Sequence, residues 1–353
     1  MNIALCLNKK YIPYATVTVI SLILHETEDL DIYMVHQDMD DADIKKMSAS
    51  LGYARKNLTA DKRRNLSAVS ILPEVRLHSV KADVSELPAE APVTNNWTAE
   101  IYFSLMFTEL LPPEVDRVLY MDCDMVTVHS VSQLYHTDLG GKLLCACIDV
   151  RGDKAFEKMQ PMQQKMIGPL MQKGYHYFNS GVLLFDMNVM RERHSFDDYV
   201  KALKEWDYQV IAPDQDLLNY VNYDETKVID WKRYNFFARN AATCGITSTD
   251  IYDTDICIVH FPGPKPWNNT GDHYEAELIW WDIASLSDDY QRLLYDFMHS
   301  ALTDTRLTRL VERITFQWDM ISDENKKLKS QNEELQSMCR RLTELVESLA
   351  KKT

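Results

Sequence analysis

The sequence predicts an α/β fold: a mostly parallel sheet with helices on both faces, followed by a helical C-terminal tail. Three observations carry this. Short apolar runs alternate with helical patterns through residues 1–150, the order of elements that builds parallel sheets. Further apolar runs recur at 181–185 and 256–260. No glycine follows Gly271 and no proline follows Pro266, so the last quarter is free of helix breakers.

In chain order, residues 3–7 read as the first strand and 14–24 as a helix. Residues 30–35 read as a second strand, and 40–51 as a helix opened by polar capping residues. The basic stretch 55–64 reads as loop or exposed helix, and 70–77 as a third strand. Residues 98–111 form a helical pattern stopped by Pro112 and Pro113. Strands follow at 117–121 and 143–148, and the Met- and Gln-rich segment 149–175 reads as a helical excursion over the site.

The tail carries a seven-residue repeat. Leu307, Ile314, Ile321, Leu328, Leu335, Leu342 and Leu349 hold one position, and Val311, Trp318, Asn325, Asn332, Cys339 and Val346 hold the offset one. Apolar d positions with asparagine at a favour two parallel helices in register, so the tail predicts a homodimeric coiled coil over about 307–350. The division expected is 1–285 for the α/β domain and 286–353 for the helical tail. From Ala301 on, ten Lys or Arg face nine Asp or Glu, too even a balance for a basic membrane-surface helix.

Bulk properties exclude several classes. The net charge of −15 argues against a nucleic-acid binder, and an anionic ligand would need a cation or local basic groups. No apolar run is long enough to span a bilayer, and the N-terminus reads as a strand, not as a signal peptide. Seven cysteines without a CxxC spacing read as reduced thiols. The Cys145–Cys147 spacing does not suit structural zinc. These features predict a cytoplasmic protein, with peripheral membrane association left open.

Four clusters carry chemistry. The apolar run 118–121 leads straight into Asp122-Cys123-Asp124. Residues i and i+2 of an extended chain share a side, so both carboxylates can meet one hard cation at a strand end, where α/β ligands gather. His260 ends another apolar run and can add a nitrogen to that cation, which favours Mn²⁺ over Mg²⁺. Gly263 and Lys265 follow it, suited to close approach and charge at a phosphate. Asn179-Ser180-Gly181 reads as a turn entering a buried strand, and Asp214-Gln215-Asp216 as a helix opening with Asp214 as N-cap. Asn8 and Tyr11 follow the first strand. Two aspartates after a strand are also found in haloacid-dehalogenase-type phosphatases, but that reading leaves HFPGPKPW without a role.

Taken together, NIALCLNKKYIPYATVTVISLI, the stretch from ELLPPEVDRVLYMDCDMVTV to CACID, YFNSGVLLFDM, DQDLLN and HFPGPKPW resemble glycosyltransferase family 8. That family is retaining and includes bacterial lipooligosaccharide galactosyltransferases and glycogenin. The resemblance covers about residues 1–285 and implies a Rossmann-like GT-A domain that moves a galactose or glucose from a UDP-sugar to a glycan acceptor, lipid-linked or capsular in type. It implies that Asp122, Asp124 and His260 hold Mn²⁺, with Mg²⁺ as the alternative. It implies further that Asn8 and Tyr11 meet the base, and that Gly263 and Lys265 grip the diphosphate. Cys123, Asp149, Asn179, Ser180, Asp214 and Gln215 then line the donor site, with Gln215 and Asp214 nearest the reacting carbon. Two routes to retention stay open: same-face attack guided by the leaving phosphate, or a covalent adduct on Gln215 or a nearby aspartate.

This chain departs from the family pattern at several points. Asn8 stands where an aspartate is usual, Lys10 where a small polar residue is common, and Ser104 where many members carry an arginine. The loop from His260 to Lys265 is one residue shorter than its commonest form. A weakly active sugar-nucleotide binder that recruits partners through its coil is therefore the second reading. Trp231, Phe236, Phe237, Trp280 and Trp281 are candidates to stack on sugar rings, with core packing as the alternative for each.

Overall fold

The structure is a computed structural model that describes residues 1–58, 71–93, 98–149, 159–269, 273–303 and 306–350. Packing divides the chain into two units, Met1–Asp296 and Phe297–Thr353.

The first unit is built on ten strands: β1 (Asn2–Cys6), β2 (Leu30–His36), β3 (Val75–Lys81), β4 (Arg117–Met121), β5 (Met125–Thr127), β6 (Leu144–Ile148), β7 (Phe178–Asp186), β8 (Thr226–Ile229), β9 (Phe236–Phe237) and β10 (Ile258–His260). Seven form the main sheet in the order β3-β2-β1-β4-β7-β6-β8. β7 is antiparallel to both its neighbours, β4 and β6, and the other pairings in this sheet are parallel. The parallel-rich α/β architecture expected from the sequence is therefore present. A second sheet joins β5, β10 and β9, with β10 antiparallel to β5 and parallel to β9.

Strand alternation feeds two cores, one on each face of the main sheet. Ile3, Leu5, Leu119, Met121, Val182 and Leu184 join the core that includes helix Ile12–His25. Ala4, Val118, Tyr120, Leu183 and Phe185 join the opposite core, with helix Pro213–Val221. Helix Ile12–His25 starts with proline at its first turn, where the missing N–H costs nothing. The buried Thr18 hydroxyl hydrogen-bonds the carbonyls of Cys123 (3.1 Å) and Met125 (2.8 Å), pinning this helix beneath the link from β4 to β5.

Several local expectations need correction. Residues 99–106 form a 3-10 helix, Ala99–Met106, and only Phe107–Leu110 is α-helical. The third strand is Val75–Lys81, displaced from the expected 70–77, and residue 70 lies outside the described residues, as do 59–64. The strand expected at 256–260 is the shorter Ile258–His260, and it belongs to the small sheet. Asn179, Ser180 and Gly181 lie inside β7 and do not form a turn before it. Within 149–175 a helix spans Pro161–Gln172, while 150–158 lie outside the described residues.

The second unit contains the helix Arg306–Ala350. On it, Trp318, Ile321, Leu328 and Leu335 are exposed in the single chain. Among the described residues no helix is long and apolar enough to cross a membrane.

Candidate active site

The site forms where the two sheets meet. β4 ends at Met121 and the chain turns through Asp122-Cys123-Asp124 into β5. Backbone bonds fix this turn to its neighbours: Asp122 N donates to the Gly181 carbonyl (2.9 Å), and Phe261 N to the Asp124 carbonyl (3.0 Å). The pairing of His260 with Met125 sets the imidazole opposite the start of β5. Cys123 packs inward and is buried, while the two flanking carboxylates face the site.

His260 Nε2 lies 3.7 Å from Asp122 Oδ2 and 3.4 Å from Asp124 Oδ1. One ligand atom from each of the three residues falls within 4.8 Å of the others. Two oxygens and one nitrogen at this spacing fit a divalent cation of the Mn²⁺ or Mg²⁺ type. Gly181 makes the close packing possible, since a methyl at its α-carbon would lie 2.8 Å from both Asp122 Oδ2 and His260 Cε1.

The charges differ within the triad. Burial, then the adjacent Asp124, pushes Asp122 up from its ordinary value. The Tyr120 hydroxyl donates to Asp122 Oδ1 at 2.7 Å. Burial acts on Asp124 in the same direction, but Lys265 and His260 override it and hold this carboxyl well below the usual range. Lys265 Nζ pairs with Asp124 Oδ2 and donates to the Phe261 carbonyl at 3.2 Å. Gly263 in this loop adopts φ +90°, which only glycine takes without strain.

A chain of amides runs away from His260. Its Nδ1 lies 2.8 Å from Asn235 Oδ1, and Asn235 Nδ2 donates to Asn179 Oδ1 at 2.7 Å. Asn179 Nδ2 donates to Gln215 Oε1 at 2.9 Å, and Gln215 Nε2 to Asp149 Oδ2 at 3.1 Å. Asn179, Gln215 and Asp149 were expected at the site from sequence. Asn235 was not, because it follows no motif, and β9 is only two residues long.

Asp214 is not the N-cap of its helix. Ala212 is, and Pro213 opens the first turn. Asp216, fully buried, bonds the backbone just ahead of the helix, accepting from Ile211 N (2.8 Å) and Ala212 N (3.0 Å) as well as the Tyr177 hydroxyl (2.6 Å). Asp214 is left to the site, with Ser180 hydrogen-bonded to it; burial, then the charge of Asp122, pushes its carboxyl up to about 7.

Asn8 caps the 3-10 turn Lys9–Tyr11 and accepts from Lys10 N at 3.1 Å. Tyr11 is partly exposed and stands edge-on to Tyr14 and Trp267. Ser104 is buried, and its hydroxyl has no partner among the described residues. Of the aromatic candidates for sugar stacking, Phe236, Phe237 and Trp280 are buried in the core. Trp281 donates to the Pro266 carbonyl at 3.2 Å, and Trp231 stacks against Phe236.

The chain is similar to known proteins over most of its length. The family "Glycosyl transferase family 8" matches residues 2–271. A lipopolysaccharide 1,2-glucosyltransferase from Escherichia coli strain K12 is 26% identical over 275 residues, 76% of this chain and 73% of that protein. A lipopolysaccharide 1,3-galactosyltransferase from Salmonella typhimurium strain LT2 is 25% identical over 183 residues, 51% of this chain and 52% of that one. Among solved structures, the galactosyltransferase LgtC in complex with donor and acceptor sugar analogs superposes with a TM-score of 0.62 at 22% identity, covering 83% of this chain and 100% of that one. That likeness shows the fold, the GT-A type of sugar-nucleotide transferases. With the family matched along most of its length, the chain belongs to glycosyltransferase family 8 and is a glycosyl-transferring enzyme.

Proposed function

We propose that the protein is a retaining hexosyltransferase that takes glucose or galactose from a UDP-sugar and passes it to a glycan acceptor. The observation that carries this reading is the convergence of Asp122, Asp124 and His260, with Lys265 reaching the same carboxylate. These three residues would hold Mn²⁺, or Mg²⁺, whose charge offsets that of the donor diphosphate and of the departing UDP.

The chain's own groups do the rest. Gly263 gives the backbone close approach to the diphosphate, and Lys265 adds a positive charge there. Asn8 and Tyr11 lie at the end of β1, suited to the base. Asp149, Asn179, Ser180, Asp214 and Gln215 surround the donor sugar, while Cys123 between the two carboxylates stays buried in the core. Gln215 bears on the mechanism. Its amide oxygen already accepts from Asn179 Nδ2 and Ser180 N (3.1 Å), and its nitrogen is bound to Asp149. An oxygen so engaged is a poor nucleophile, which favours same-face attack over an adduct on Gln215.

The acceptor is read from relatives that act on lipopolysaccharide. A lipid-linked glycan met at the cytoplasmic membrane surface fits them, with the enzyme held there peripherally. The exposed apolar positions of helix Arg306–Ala350 support a parallel coiled-coil homodimer. Incubation of the full chain with a panel of UDP-sugars and Mn²⁺ tests the activity through release of UDP. We expect release from UDP-glucose or UDP-galactose that Asp124→Ala abolishes. Tight UDP binding without turnover of any donor would replace this reading with that of a binding scaffold.

A further inference from the structure

We infer that Asn235 is a positioning residue that fixes the tautomer of His260 and joins the metal-binding imidazole to the donor-sugar wall. Two backbone groups set the order. Gly181 N donates to Asn179 Oδ1 at 3.0 Å, and Ser180 N donates to Gln215 Oε1 at 3.1 Å. A backbone N–H can only donate, so these contacts settle which end of each amide is oxygen. Asn179 Oδ1 therefore faces Asn235 as an acceptor, and the group Asn235 presents to it must be its NH₂. The other end of Asn235, its oxygen, then faces His260 Nδ1 at 2.8 Å. That oxygen can only accept, so Nδ1 carries the proton. Nε2 is the ring nitrogen left to face Asp122 and Asp124, and the one a cation there would take. The opposite tautomer would set two acceptors against each other in a buried pocket, at full desolvation cost.

Burial reinforces the order. Asn235 is 0% exposed and His260 2% exposed, so no water substitutes for either partner. The side chain that would hold the cation and the amide wall expected around the donor sugar are thus parts of one hydrogen-bonded line, each group donating to the next from His260 to Gln215. Outer partners of this kind tune metal affinity by about 10–100-fold.

This inference rests on the metal reading proposed above, and the experiment separates the two. In full chain labelled with ¹⁵N-histidine and treated with chelator, long-range proton–nitrogen correlation reads the His260 tautomer directly, with His260→Gln assigning the signal. We expect Nδ1 to carry a proton, bonded to Asn235. Asn235→Ala should lose that preference and bind Mn²⁺ about 10–100-fold more weakly. Asn235→Asp keeps an acceptor for Nδ1 and loses the donor to Asn179, so it should retain the tautomer and Mn²⁺ affinity but show a lower kcat. An Nε2–H tautomer in the wild-type chain overturns the inference, as does wild-type Mn²⁺ affinity in a folded Asn235→Ala variant. If the wild type shows Nδ1–H but binds no Mn²⁺, the metal reading fails while the tautomer assignment stands.

Discussion

Gly181 and His260 are packed so closely that the glycine has no room for a side chain: a methyl there would sit 2.8 Å from His260 Cε1 and 2.7 Å from Met125 Cε. The imidazole must move, or the strand must. Gly181→Ala should therefore weaken Mn²⁺ binding and cost about 1–3 kcal/mol of stability, as overpacking generally does. Mn²⁺ titration and denaturant unfolding check both, and unchanged values in both would show that the site has slack.

Lys265 and the expected cation compete for one carboxylate, Asp124. Lys265→Ala should act in opposite directions on two ligands. UDP affinity with Mn²⁺ present should fall about 10–100-fold through loss of a charged contact. Mn²⁺ affinity without nucleotide should rise, because a neighbouring positive charge is gone. Calorimetry of each ligand decides it, and a fall in Mn²⁺ affinity would count against the competition.

Asp214 should give stability a pH dependence of a particular sign. Its carboxyl titrates at about 7 in the fold, against about 3.9 in an unfolded chain. The folded state therefore holds the proton more tightly, and stability falls as pH rises between these values. In chelator-treated protein, Asp214→Asn should raise the melting temperature more at pH 8 than at pH 5, while lowering turnover. An equal gain at both pH values would rule out Asp214 as the titrating group.

The tail should set the oligomeric state. Trp318, Ile321, Leu328 and Leu335 lie exposed on a 45-residue helix, and burying them against a second copy removes apolar surface from water. Sedimentation should show the full chain as a dimer and a chain lacking residues 319–353 as a monomer. A monomeric full chain refutes the coil.

Much of the site is legible in linear sequence because its chemistry is carried by short strand ends. Asp122-Cys123-Asp124 follows an apolar run, and the two-residue period of a strand alone puts both carboxylates on one side. His260 and Lys265 are visible for a similar reason. Asn235 is not, since its role exists only once β9 pairs with β10 and brings it beside His260. Non-local pairing also hides that β10 leaves the main sheet. Asn179-Ser180-Gly181 looks like a turn because asparagine and glycine are poor strand residues. Gly181 stands in β7 because Met125, Asp122 and His260 leave no space above it. Asp214 looks like a helix cap, but Pro213 at the first turn shifts the cap back to Ala212, and Asp216 bonds the backbone ahead of the helix. β3 reads poorly because its residues are half-buried or exposed, so its apolar signal is diluted.

The proposed function stands on Asp122, Asp124 and His260 together holding one divalent cation. Titration of Mn²⁺ into the full chain, followed by electron paramagnetic resonance of the free ion, tests it most directly. We expect one site per chain, tightened by UDP and lost in both Asp124→Asn and His260→Ala. Binding that survives both substitutions, or no binding with UDP present, would contradict it.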